Sequence, residues 1–195
     1  MKNDILHRKD RLIITAIEII DELGIQGLST REIAKRQDVS EATLFRHYKS
    51  KNELLIAVLN YFSQFDEDIF LSTKLKNIKP VEAVIFLISS SVEYYENYPA
   101  ITSIMQALDV LSYETELNEK VKAIINHRFQ VVKSLVEDGQ KSGDLRSDVD
   151  SDSIAELICG SCREICLLWR INGRNFSLKD KTLSTIRTLM ASLSI

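Results

Sequence analysis

Between Arg31 and Lys51 the chain carries six Lys/Arg against three Asp/Glu, with Thr43 and His47 interleaved and Thr30 just before them. Cations and hydroxyls at this density suit phosphate oxygens, which fix a protein's register on a nucleic acid. Arg46 can also fork onto a guanine edge, and the Thr43 methyl can pack on a thymine methyl. A second candidate is Cys159, Cys162 and Cys166, spaced C-x2-C-x3-C, which a helix would present on one side. A zinc site takes four ligands, commonly Cys with His, and His7, His47 and His127 all lie far away in sequence. No metal is therefore expected. The thiols read first as small buried hydrophobes, with redox sensing as the alternative. A third group is aromatic and soft: Phe62, Phe65, Phe86, Met105, Phe129 and Trp169 are candidates to line an apolar pocket. Glu93, Glu96 and Asp109 read as a solvated face. No Gly-rich phosphate loop, H-E-x-x-H or G-x-S-x-G occurs, and no nucleophile is paired with a base. The expectation is a protein that is not an enzyme and carries no cofactor.

Charge distribution sharpens the first candidate. The net charge of −3 argues little by itself. Residues 1–51 carry ten basic and eight acidic side chains, whereas residues 52–195 carry fifteen and twenty. A short basic face thus sits on an acidic chain, which is the electrostatic footprint of a nucleic-acid binder. No apolar run approaches the ~20 residues needed to cross a bilayer. The first ten residues lack an apolar signal core, so a cytoplasmic protein is expected.

The elements that must position these residues are helices. Only six Gly and two Pro are available for turns. Leu12, Ile13, Ala16, Ile17, Ile20 and Leu23 recur at helical steps, and Gly24 is a stop. Ser29 and Glu32 have capping-box spacing for a short helix. Ser40 caps another over Glu41–His47, and Ser50 caps a long one through Leu54, Leu55, Val58, Phe62 and Phe65. Further helices are expected over Val81–Asn97 behind Pro80, over Ala100–Leu111, and through Val121–Val136. Another starts at Asp150 or Asp152 and stops before Gly173, and a last one buries Leu183, Ile186, Leu189, Met190 and Leu193. The fold is all-α, with about nine helices.

Helix, tight turn and helix over Ser29–Tyr48 is the helix-turn-helix pattern, whose second helix enters the major groove. Ala34, Val39, Leu44 and Tyr48 form its inward face, leaving Ala42, Thr43, Arg46 and His47 outward. Arg11–Leu55 resembles the DNA-binding domain of the tetracycline-repressor (TetR) family. The resemblance rests on Ala16, Gly24, Leu28, Ser29–Ala34, Val39-Ser40, Thr43–Tyr48, Ser50-Lys51 and Leu54. It departs at Asp38 and Ala42, where the family often has Gly, and at Phe45, where a common Tyr would add a phosphate contact. The resemblance implies a three-helix DNA-binding domain over 1–50 and a helical ligand-binding and dimerisation domain over 51–195. It also implies a DNA-facing surface of Thr30, Arg31, Glu41, Ala42, Thr43, Phe45, Arg46, His47, Lys49 and Lys51. A homodimer is expected, with Ile158, Cys162, Ile165, Ile186, Leu189 and Leu193 facing the second copy. The implied function is a repressor released from a palindromic operator by a small, mostly apolar effector. The alternatives are a regulator under thiol control or without a ligand, and a helical interaction protein that does not bind DNA.

Overall fold

The apolar periodicity becomes nine α-helices and one 3-10 turn in the computed structural model, which describes residues 7–195. The helices are α1 (Arg8–Gly27), α2 (Thr30–Arg36), α3 (Glu41–Phe45), α4 (Lys51–Leu75) and α5 (Pro80–Asn97). After the 3-10 turn Pro99–Ile101 come α6 (Thr102–Ser112), α7 (Thr115–Ser142), α8 (Ser151–Ile171) and α9 (Leu178–Leu193). Among the described residues extended pairing is limited to one bridge, Leu145 with Ser194. Packing divides the chain into two units. One is the chain up to Gln64 with Tyr98–Ala123, and the other is Phe65–Asn97 with Ile124–Ile195. Helices α4 and α7 contribute residues to both.

In the first unit α1 buries Leu12, Ile13, Ala16, Ile17, Ile19 and Ile20, and it packs on α2, the 3-10 turn and α6. Ile101 and Ile104 are fully buried there. Regular helix geometry breaks at Gly24, with φ 71° and ψ 176°, a conformation that side chains with a Cβ scarcely adopt. The break turns Leu23, the last member of the apolar stripe, outward to 53% exposure. Three residues on, a Cβ at Gly27 would lie 2.3 Å from the Cβ of Leu23, so only glycine fits. The chain then drops Leu28 into the core and enters α2.

In the second unit α9 packs on both α5 and α8. Its start is clamped by acids: Lys179 Nζ pairs with Glu93 at 2.6 Å, and its backbone N–H donates to Glu96 at 3.1 Å. Glu93 and Glu96 are therefore fasteners of α9, not simply a solvated face. The α7–α8 turn closes through two N–H groups, of Asp144 and Leu145, on the Gly139 carbonyl. Gly139 must be small, because a Cβ there would sit 2.8 Å from Leu145. Asp150, not Asp152, caps α8 by accepting from Ser153 N–H at 2.9 Å. Asp152 instead pairs with Lys133 at 2.6 Å.

Candidate nucleic-acid interface

Helices α2, α3 and α4 each start at a hydroxyl that accepts an otherwise orphaned N–H. Ser29 Oγ accepts from Glu32 N–H at 3.1 Å, Ser40 Oγ from Thr43 N–H at 3.2 Å, and Ser50 Oγ from Glu53 N–H at 3.0 Å. The turn between α2 and α3 is closed by Val39 N–H on the Ala34 carbonyl, and Asp38 sits at φ 50°. An Asp tolerates that left-handed geometry better than most residues, so the turn survives without the usual glycine. Gln37 Nε2 donates to Thr15 Oγ1 at 2.7 Å, which ties the turn to α1.

Ile33, Ala34, Leu44 and Tyr48 are buried, and Val39 is partly so. Tyr48 donates to the Lys9 carbonyl at 3.4 Å, while the Lys9 ammonium lies 5.4 Å from its ring centroid. Burial pushes the Tyr48 hydroxyl above its ordinary range. The α3 helix ends at Phe45, two residues before the expected His47, because the chain must turn back before Ser50 caps α4.

Outward from this inner face, Arg31, Glu41, Ala42, Phe45, Arg46, Lys49 and Lys51 are exposed, and Thr30, Thr43 and His47 are half-buried. Among the described residues Arg31, Arg46, Lys49 and Lys51 have no ion-pair partner. Arg36, by contrast, is spent inside the head, bonded to Glu22 at 2.8 Å and Glu32 at 3.0 Å. Those two carboxylates raise its pKa. The Thr43 hydroxyl shares a 3.0 Å bond with Ser40, which leaves its methyl for contact. Thr30 donates to Glu41 at 2.6 Å, linking the starts of α2 and α3. Lys51 opens the 25-residue α4, where free N–H groups and an ammonium together suit a phosphate. Asn52, next to it, donates to Glu116 at 2.9 Å and fastens the start of α4 to that of α7. A basic, unpaired face on a rigid helix-turn-helix can bind duplex DNA in the major groove.

The profile of bacterial regulatory proteins of the tetR family matches residues 12–58, and that of the YsiA-like protein C-terminal region matches residues 60–192. The chain belongs to the tetR family. It is a DNA-binding transcriptional regulator. Similarity to the fatty acid metabolism regulator protein of Bacillus subtilis is 21% identity over 94% of each chain. The crystal structure of FadR from Bacillus subtilis in complex with stearoyl-CoA superposes with a TM-score of 0.81 at 22% identity, covering 94% of this chain and 98% of that one. The ketosteroid regulator KstR2 of Mycobacterium tuberculosis gives 0.83 at 18% identity, covering 98% and 97%.

The residues expected to line an apolar pocket in this tetR-family chain divide unevenly between the two units. Phe62 and Met105 are buried in the first unit. In the second, Phe65 stacks on Tyr94 with centroids 4.4 Å apart, while Phe86 and Phe129 are half-buried. Trp169 is 4% exposed and its indole N–H donates to the Phe176 carbonyl at 2.9 Å. The residues expected to face a second copy lie mostly inward. Ile158 and Ile186 are fully buried within the chain, and Ile165 and Leu193 nearly so. Cys162 and Leu189 are half-buried. The apolar residues that α8 turns outward are Leu157, Leu168 and Ile171, with Gly160 open between them. Periodicity places a helix here, but it could not say which stripe faced in.

Sequence reading also missed a polar cluster in the second unit. Arg128 Nε donates to Asp66 at 2.6 Å and its Nη2 to Tyr95 at 3.0 Å, joining α7, α4 and α5. Burial pushes the Asp66 carboxyl upward against the pull of Arg128, and pushes the Tyr95 hydroxyl upward strongly. The three lie far apart in the chain, so no local signal announces them. Cys159 and Cys162 have raised thiols, Cys162 to about 12, because burial disfavours the thiolate.

Proposed function

We propose that this regulator is a repressor that leaves a palindromic operator when a long-chain acyl thioester of coenzyme A binds its regulatory helices. The observation that carries the reading is that similarity to a fatty acid metabolism regulator runs over 94% of both chains, regulatory helices included. A solved relative in complex with stearoyl-CoA supports the same ligand class. The chemistry agrees: Phe65, Phe86 and Phe129 offer apolar contact, and the described helices contain no apolar span that crosses a membrane. The protein works in the cytoplasm, and no catalytic step is part of the reading. Thr43 and Arg46 read bases, whereas Lys49 and Lys51 hold phosphates. Leu157, Leu168 and Ile171 seat the second copy. Thiol control is the weaker alternative, since protonated thiols are poor nucleophiles.

The test uses an operator selected from random DNA by the purified protein. Palmitoyl-CoA should lower operator affinity about 5–150-fold, the usual scale of coupling between two sites. Operator DNA should weaken palmitoyl-CoA binding by the same factor. Tight palmitoyl-CoA binding with unchanged operator affinity refutes the repressor-release mechanism.

A further inference from the structure

Over residues 69–81 the chain carries Lys74, Lys76 and Lys79 and not one acid, within a region whose net charge is negative. All three lysines are exposed, and among the described residues none is in an ion pair. Elsewhere in the same unit Arg128, Lys133, Lys141, Arg146 and Lys179 are each held by a carboxylate. The lysines sit where α4 ends at Leu75 and α5 begins at Pro80. Asn77, at φ 48°, folds this connection into a tight left-handed turn, with its N–H on the Lys74 carbonyl at 3.4 Å. The Lys76 ammonium is already placed, 4.5 Å from the Phe86 ring centroid. Beside the cations the chain exposes Leu71, Leu75 and Ile78, at 58%, 76% and 37%. The nearest acid downstream is Glu82, in the first turn of α5.

We propose that this α4–α5 turn binds the phosphates of the coenzyme A end of the ligand, a proposal that rests on the acyl-thioester reading above. An acyl chain can be buried, but phosphates cannot leave water without cations to receive them. A polyanion is repelled over most of an acidic surface and drawn to a local cluster of unpaired cations. The exposed leucines and isoleucine complement the neutral, partly apolar arm that joins phosphates to the acyl group. Charge thus selects the phosphate end of such an amphiphile for this turn.

The experiment compares the full-length protein with its K74A/K76A/K79A variant, using palmitoyl-CoA, free coenzyme A and palmitate as probes. Loss of three surface charge contacts should weaken palmitoyl-CoA and coenzyme A roughly tenfold, flatten the salt dependence of both, and leave palmitate unchanged. The K74R/K76R/K79R variant should retain binding. Lysine-dependent palmitoyl-CoA binding that leaves operator affinity unchanged would support the turn and defeat the release mechanism. Operator release that persists undiminished in the alanine variant, with equal palmitoyl-CoA affinity and salt dependence, would overturn the turn alone. Failure of the wild type to bind either coenzyme A species overturns it as well. So does lysine-dependent binding to phosphatidylglycerol vesicles with no binding to coenzyme A.

Discussion

The contacts proposed for Thr43 and Lys51 differ in chemistry, and the difference can be measured. The Thr43 hydroxyl is engaged by Ser40, so the methyl is the group it has to offer a base. Arg46 is exposed on the same outward face and is free of ion pairs among the described residues. Replacing Thr43 or Arg46 by Ala should relax base preference at one position each, at about 1–3 kcal/mol. Lys51→Ala should instead weaken all sequences alike and reduce the salt slope by about one charge. Selection of random DNA with each variant separates the two patterns; identical preference profiles for wild type, T43A and R46A would reject the assignment. Thiol chemistry gives a second test at this scale. With Cys162 pushed up to about 12 and Cys159 also raised, little thiolate exists in the folded protein at pH 8. Alkylation by iodoacetamide should be much slower in the native protein than in urea, and equal rates would revive thiol control. The caps at Ser29, Ser40 and Ser50 were legible because a cap acts within three residues. The Asp66–Arg128 pair was not, because its partners are 62 positions apart.

At the scale of elements, stability concentrates where helices meet polar or crowded points. Arg128 joins three helices through Asp66 and Tyr95. Arg128→Met leaves a largely buried carboxylate without its cation and should cost about 3–5 kcal/mol in urea unfolding. Adding Asp66→Asn should recover much of that loss, since the expense lies in the uncompensated charge. A double variant no more stable than R128M would argue against the pair. Gly27→Ala places a Cβ against that of Leu23 and should destabilise the head by about 1–3 kcal/mol. Sequence singled out Gly24, where the helical geometry of α1 breaks, because glycine interrupts helices for a local backbone reason. It could not foresee the need at Gly27, which depends on where Leu23 turns after the break. Nor could it orient α8, where Cys, Ile and Leu differ too little in hydrophobicity to tell an inner stripe from an outer one. Burial separates them: Ile158 and Ile165 point in, while Leu157, Leu168 and Ile171 point out.

For the whole molecule, one short recognition helix reads too few bases for useful selectivity, so two copies must act together. Operators should contain inverted half-sites about one helical turn, ~34 Å, apart or a multiple of it. Sedimentation of the protein on its operator should give two chains per palindrome, and a tightly bound single chain would contradict this. The packing of the first unit also bears on how the molecule can be cut and rebuilt. Because α1 closes over the 3-10 turn and α6, and Asn52 is bonded to Glu116, the reading head is discontinuous in sequence. A gene fragment ending at Gln64 would encode every residue proposed to face DNA yet leave the buried face of α1 without the 3-10 turn and α6 that pack on it. Such a fragment should give weak helical circular dichroism and bind no operator. Chimeras that exchange specificity between relatives should transplant Tyr98–Ala123 along with the amino-terminal head, as two coupled cassettes.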